Sequence, residues 1–169
     1  MTIVVVGYTG SNKINIAKKI ANKLDLNFID LHQLIEKEEK ISIPKILISK
    51  GDIIFRKIEN NYLKNLIKNE TKFILSLEEG TPCYSNNVKL ITSRNIVSIY
   101  LKYSINNLTD ILFKDPPIIL RNFSKDKLKE YIAKHIFGDN NKAFSNISFS
   151  DSFEEDIAEE QSRMMHIDG

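Results

Sequence analysis

Thr2-Ile3-Val4-Val5-Val6-Gly7-Tyr8-Thr9-Gly10-Ser11-Asn12-Lys13-Ile14-Asn15-Ile16-Ala17 is the stretch whose reading decides the fold. Ile3 to Val6 is a continuous apolar run, too short for a buried helix and β-branched enough for a strand covered on both faces. Gly7 to Asn12 follows as a loop. Ile16, Ala17, Ile20 and Leu24 then fall at helical spacing among lysines, so residues 13 to 24 are predicted to form an amphipathic helix. A loop that leaves a strand and opens a helix offers an anion several backbone N–H groups and the positive end of the helix dipole. Compared with the phosphate-binding pattern G-x-x-x-x-G-K-S/T, the loop matches at Gly7 and Lys13 and departs at Asn12 and Ile14. Asn12 is a mild replacement, because asparagine tolerates left-handed backbone. Ile14 is a harder one, since it offers no oxygen where a hydroxyl ordinarily meets Mg2+. On this motif alone, a nucleotide loop and an ordinary strand-to-helix turn are equally good readings.

The rest of the chain repeats the strand-then-helix alternation. A second strand is expected at Asn27 to Ile29, leading into a helix that carries Leu31, Leu34 and Ile35. Ser42 with Pro44 reads as an N-cap and early helical proline of a short helix that Gly51 stops, and Asp52 as the cap of a longer one. In that longer helix Phe55, Ile58, Tyr62, Leu66 and Ile67 supply the apolar stripe. Phe73 to Leu77 and Ile96 to Leu101 read as strands, Asn106 to Phe113 and Ser124 to Phe137 as helices, and Pro116-Pro117 bars a continuous helix between them. A weak strand is expected at Ile147 to Phe149, then a closing helix with Phe153, Ile157 and Met164 on one face. Strands alternating with helices of this length predict an α/β fold with a parallel sheet.

Composition narrows the class. At 169 residues, 42% hydrophobic and 27% charged, the chain has the size and balance of one globular domain. A net charge of +2 provides no field to draw in nucleic acid or an anionic membrane. Cys83 stands alone, which excludes an internal disulfide. No run approaches the ~20 apolar residues of a membrane span, and Met-Thr-Ile-Val-Val-Val is not a secretory leader, so the cytoplasm is the expected compartment. The basic residues are nearly all lysines; the arginines are Arg56, Arg94, Arg121 and Arg163. That shortage is explained as readily by an AT-rich genome as by function.

Further stretches fall into order with the loop. They are Phe28-Ile29-Asp30-Leu31-His32-Gln33-Leu34-Ile35-Glu36, Ser42-Ile43, Gly51-Asp52, Phe55-Arg56-Lys57-Ile58-Glu59, Leu75-Ser76-Leu77-Glu78-Glu79-Gly80-Thr81-Pro82 and Ile99-Tyr100-Leu101. From the amino terminus to about Ser150 the sequence thereby resembles shikimate kinase, a small P-loop kinase. The resemblance implies a three-layer α/β P-loop kinase fold, with a five-stranded parallel sheet and helices on both faces. It implies a single domain over 1–169, with the nucleotide loop at 7–15, a substrate-binding helical region at about 30–62 and a lid at about 113–123. It also implies ATP and Mg2+ as cofactors and phosphorylation of the 3-hydroxyl of shikimate by a monomer, with neither nucleic acid nor membrane as partner. Gly7, Gly10, Ser11, Asn12, Lys13, Ile14 and Asn15 are the implied ATP-binding positions. Lys13 and Asp30 are the implied catalytic pair, and Asp30, His32, Arg56 and Gly80 the implied substrate contacts.

The chain also departs from the family pattern, and the departures gather at one site. His32 stands where a second carboxylate is usual, Glu78 and Glu79 replace two of three glycines, and Pro116 meets the lid arginine. Asp139 aligns with a further substrate arginine, and Arg121 and Lys114 flank the lid as its nearest substitutes. Losing an arginine that stabilises phosphoryl transfer can cost on the order of 10³-fold. Each carboxylate beside an anionic substrate adds repulsion of roughly a kcal/mol. The expectation is therefore slow shikimate phosphorylation, with a non-catalytic, partner-binding relative as one alternative and a kinase for a neutral or cationic acceptor as another. Each residue also has a plainer role to weigh. Asp30 reads equally as an N-cap, Arg56 as the partner of Glu59 one turn on, His32 as a packing residue, Glu78 and Glu79 as a solvated loop, and Cys83 as a small buried side chain.

Overall fold

The computed structural model describes residues 1–69, 72–117 and 120–137. The elements run β1 (Thr2–Gly7), α1 (Lys13–Leu24), β2 (Asn27–Asp30), α2 (Leu31–Glu39), α3 (Ile43–Lys50), α4 (Asp52–Asn69), β3 (Phe73–Glu78), α5 (Asn87–Ile91), β4 (Ile96–Leu101), α6 (Ile105–Lys114) and α7 (Lys125–Phe137). Every strand pairing is parallel, in the order β2-β3-β1-β4. Among the described residues the sheet has four strands, not five. The fifth was expected at Ile147 to Phe149, which lies outside the described residues, as do the closing helix and Asp139.

Three layers follow from side-chain alternation. Val4, Val6, Phe73, Leu75 and Leu77 turn to one face and pack with Leu31, Ile35, Ile46, Phe55, Leu63 and Ile91 from α2 to α5. Ile3, Val5, Ile74 and Leu101 turn to the other and meet Ile16, Ala17, Ile20 and Ala21 of α1. This explains the unbroken apolar run of β1: it is a central strand, and all six of its residues are buried. A smaller cluster of Tyr8, Leu108, Leu112, Leu120, Leu128 and Ile132 ties α6 and α7 to the loop after β1. No helix among the described residues is long and apolar enough to cross a membrane.

Local signals worked with two corrections. Ser42 holds the N-cap position of α3 but makes no side-chain cap; Glu36 Oε1 accepts from the Ile43 N–H at 2.7 Å instead. Asp52 is the first residue of α4 rather than its cap, and the Gly51 carbonyl accepts the first helical bond, from Phe55 N. Ser104 and Ser124 cap α6 and α7 through their hydroxyls. The short α5 had no counterpart among the expected elements.

Because β1 is flanked by β3 and β4 while the chain crosses from β1 to β2 over one face and from β3 to β4 over the other, a crevice opens above the carboxyl end of β1. In open parallel sheets that crevice is where ligands bind. The strand register brings Gly7 beside Glu78 on one side and Leu101 on the other, with Asp30 beyond Ser76.

Candidate active site

The loop from Gly7 to Asn12 is compact and internally braced. The Ser11 N–H donates to the Tyr8 carbonyl at 2.9 Å, and the Tyr103 hydroxyl donates to the Ser11 carbonyl at 3.1 Å. Gly7 is packed so closely that a β-carbon there would run into Ser11 Oγ. Asn12 takes the left-handed conformation (φ 55°, ψ 20°), so asparagine stands in for the expected glycine by adopting its backbone. Asn15 Nδ2 donates to Asn12 Oδ1 at 2.6 Å, leaving Asn15 as a brace of the turn. Ser11 Oγ is buried and has no hydrogen-bond partner. Ile14 is half-buried and presents only carbon.

Lys13 opens α1 with 6% of its surface exposed, and its Nζ lies 2.8 Å from Glu78 Oε1 at the end of β3. Glu78 and Glu79 are therefore not a solvated loop. Glu78 occupies the lysine, and Glu79 Oε2 is shut away from water with no hydrogen-bond partner. Burial, helped by the charge of Glu78, pushes the Glu79 carboxyl up to about 7. Burial and then Glu79 push the Tyr100 phenol up to about 12, and the same two causes, in that order, raise Tyr8.

On the other side of β3, a second cluster is built around Glu59, which has no exposed surface at all. Its Oε1 accepts from His32 Nε2 at 2.8 Å and from Thr81 Oγ1 at 2.7 Å, and its Oε2 accepts from Arg56 Nη1 at 2.8 Å. Burial opposes ionisation of Glu59, but the His32 hydrogen bond, the Arg56 charge and Thr81 outweigh it, so its pKa falls below the usual carboxylate range. Burial likewise opposes the charged imidazole, yet the hydrogen bond and charge of Glu59, with Glu78 and Asp30 adding, raise His32 above 6.5. Arg56 is held further by Asp52 Oδ1, 3.6 Å from its Nε, and by Gly80, where an added β-carbon would lie 2.6 Å from Nη2. Asn60, Asn87 and the Thr81 carbonyl form a buried chain of hydrogen bonds that fixes the loop beneath.

Asp30 caps α2: its Oδ1 accepts from the Gln33 N–H at 2.9 Å. Lys114 and Arg121 are both exposed, and Cys83 is half-buried rather than buried. The structure thus gathers Lys13, Asp30, His32, Arg56 and Gly80 along the carboxyl edge of the sheet and adds Glu59 and Thr81, which sequence reasoning had left without a site role. The signals for Glu59 were its place three residues after Arg56 and its position in the stretch Phe55-Arg56-Lys57-Ile58-Glu59 that carries the family resemblance. No group of three or more His, Cys, Asp or Glu side chains among the described residues could hold a metal ion.

The profile of the shikimate kinase family matches residues 9–165. The chain belongs to the shikimate kinase family. It is 40% identical over 150 residues to a shikimate kinase of Flavobacterium psychrophilum, covering 88% of this chain and 87% of that enzyme. It is 39% identical to one from Flavobacterium johnsoniae, with 80% of each chain covered. The fold is similar to that of shikimate kinase from Bacteroides thetaiotaomicron, with a TM-score of 0.80 at 23% identity over 98% of both chains. It is also similar to that of the Acinetobacter baumannii enzyme in complex with shikimate, with a TM-score of 0.69 at 20% identity over 84% of this chain and 79% of that one. The Lys13–Glu78 pair sits at the loop after β1, with the Glu59 cluster beside it.

Proposed function

We propose that this shikimate kinase family member transfers the γ-phosphoryl group of ATP to the 3-hydroxyl of shikimate, and does so slowly. The observation that carries the reading is the placement of two cations, Lys13 and Arg56, on separate elements around one crevice, each buried enough to be fixed. Lys13 supplies charge for the transferring phosphoryl. Arg56 presents a planar donor fork to a substrate carboxylate, with Gly80 leaving room for it. Asp30 lies at the end of β2, within the same edge. Lys13 and the loop backbone fit the phosphates of ATP; the loop does not fit Mg2+ in the family manner, because Ile14 has no oxygen to give it. Slowness follows from Glu78, which ATP must displace from Lys13, and from Pro116 at the lid position. The nucleotide loop at 7–15, the acceptor region at 30–62, the lid at 113–123 and a cytoplasmic monomer complete the reading.

The Lys13–Glu78 pair also favours a second reading, a non-catalytic relative whose phosphate site is closed by its own carboxylate. Calorimetric titration with ATP and Mg2+ and then shikimate, followed by ³¹P spectroscopy of the mixture, separates the two. Slow growth of a phosphomonoester signal supports the kinase. Binding of neither ligand sinks that reading and leaves the non-catalytic one.

A further inference from the structure

The cluster around Glu59 joins His32 to Arg56 through a single buried carboxylate. We propose that His32, oriented by Glu59, accepts the proton of the attacking hydroxyl, with Glu59 as its positioning residue. The inference rests on the reading of the chain as a kinase of shikimate.

An ionised carboxylate only accepts hydrogen bonds, so the His32 Nε2 bonded to Glu59 carries the hydrogen. The neutral ring then has its lone pair on Nδ1, the tautomer that a carboxylate partner enforces on an imidazole base. Nδ1 makes no hydrogen bond among the described residues, and 26% of the His32 side chain is open. Phe55 meets the ring edge-on, with centroids 5.5 Å apart, which fixes its plane. Thr81 shares Glu59 Oε1 and ties the arrangement to the loop after β3.

The groups facing the imidazole are Glu59 and Arg56 from α4, Asp30 from the end of β2 and Glu78 from the end of β3. Arg56 and Glu59 offset each other, and Lys13 offsets Glu78. Because Arg56 and His32 grip the same carboxylate, an acceptor anchored by its own carboxylate on Arg56 carries its hydroxyls towards the ring. In the transfer, a hydroxyl oxygen forms a bond to the γ-phosphorus of the nucleoside triphosphate. The bond from that phosphorus to the β,γ-bridging oxygen breaks, and the nucleoside diphosphate leaves. The hydroxyl proton passes to Nδ1 and on to water through the open side of the ring.

A positioned base contributes about 10²-fold or more. His32→Gln is therefore expected to lower kcat about 10²-fold with a smaller change in KM for shikimate, while its thermal melt shows a folded chain. Glu59→Gln keeps an acceptor for Nε2–H but removes the anion, so the acid limb of kcat against pH is expected to move to lower pH. A limb that stays in place, or a His32→Gln variant within twofold of the parent, overturns the proposal. Long-range ¹H–¹⁵N spectra of the imidazoles, assigned with His32→Gln, supply a readout apart from turnover. The Nε2–H tautomer and a shift of Nδ1 on adding shikimate are expected. Arg56-dependent binding of shikimate without that shift overturns this inference alone, and no binding by the unaltered chain overturns the kinase reading with it.

Discussion

Lys13 and Glu78 meet at 2.8 Å because β1 and β3 run in register, with Gly7 beside Glu78, while α1 starts one loop beyond Gly7. The carboxylate occupies the cation that a phosphate needs, so Glu78→Gly is expected to tighten ATP binding about five- to tenfold, on the order of 1 kcal/mol for a partly exposed pair. Calorimetry with ATP reads this directly, and an unchanged affinity would show that the pair does not compete. Glu79 makes a different demand. In the folded chain it holds its proton up to about pH 7, whereas an unfolded glutamate releases it near ~4.3. Between those values the folded state binds more protons, so Glu79 makes stability fall as pH rises, with the full penalty above the folded value. Glu79→Gln is expected to gain stability over the parent at pH 8 and little at pH 5. Urea midpoints at the two pH values check it, and a pH-independent difference argues against a buried carboxyl.

At the scale of elements, what was legible depended on whether the cause was local. Helix α1 was bounded at Lys13 and Leu24 by its apolar spacing and its left-handed flanks, Asn12 and Asp25. Ser124, which caps α7, lies three residues from the N–H group it satisfies, and Ser104 does the same for α6, whose expected start was Asn106. The cap of α3 was not legible, because its acceptor, Glu36, comes from the preceding helix. Glu36→Ala is expected to destabilise the chain by about 1 kcal/mol, with Glu36→Gln restoring most of it; thermal melts of the two variants decide. Helix α5, at five residues, is too short to show a period. In α4 Phe55 of the expected stripe is buried while Ile58, Tyr62, Leu66 and Ile67 pack at the margin of the core, and Glu59, Asn60 and Leu63 complete the buried face. Two polar residues on a buried face cannot be read from hydrophobic spacing, since, Arg56 apart, their partners lie on α2, on α5 and in the loop after β3.

For the whole molecule, the Glu59 cluster is the polar tie between α2, α4 and the carboxyl end of β3, and its charge state links stability to pH. Glu59, lowered below its unfolded value, contributes stability that is present above the usual carboxylate range and lost as pH falls through its folded pKa. His32, raised above 6.5, contributes stability that is fully present below its unfolded pKa and lost as pH rises through the folded one. The pair therefore stabilises most between those two limits, and a Glu59→Gln chain is expected to lose that maximum; chemical denaturation from pH 4 to pH 9 measures it. A pH profile of the same shape in the variant would assign the maximum to other groups. The sequence by itself determined the parallel α/β architecture, the family and, apart from α5, the order of the described elements, because strand runs, helical periods, caps and a loop motif are causes that act within a few residues. Only the tertiary structure decided what the site residues do to one another across the sheet: that Lys13 is held by Glu78, and that Glu59 is sunk between His32 and Thr81. Those outcomes depend on strand register and helix rotation, which bring together residues more than twenty positions apart and set how much water remains between their charges.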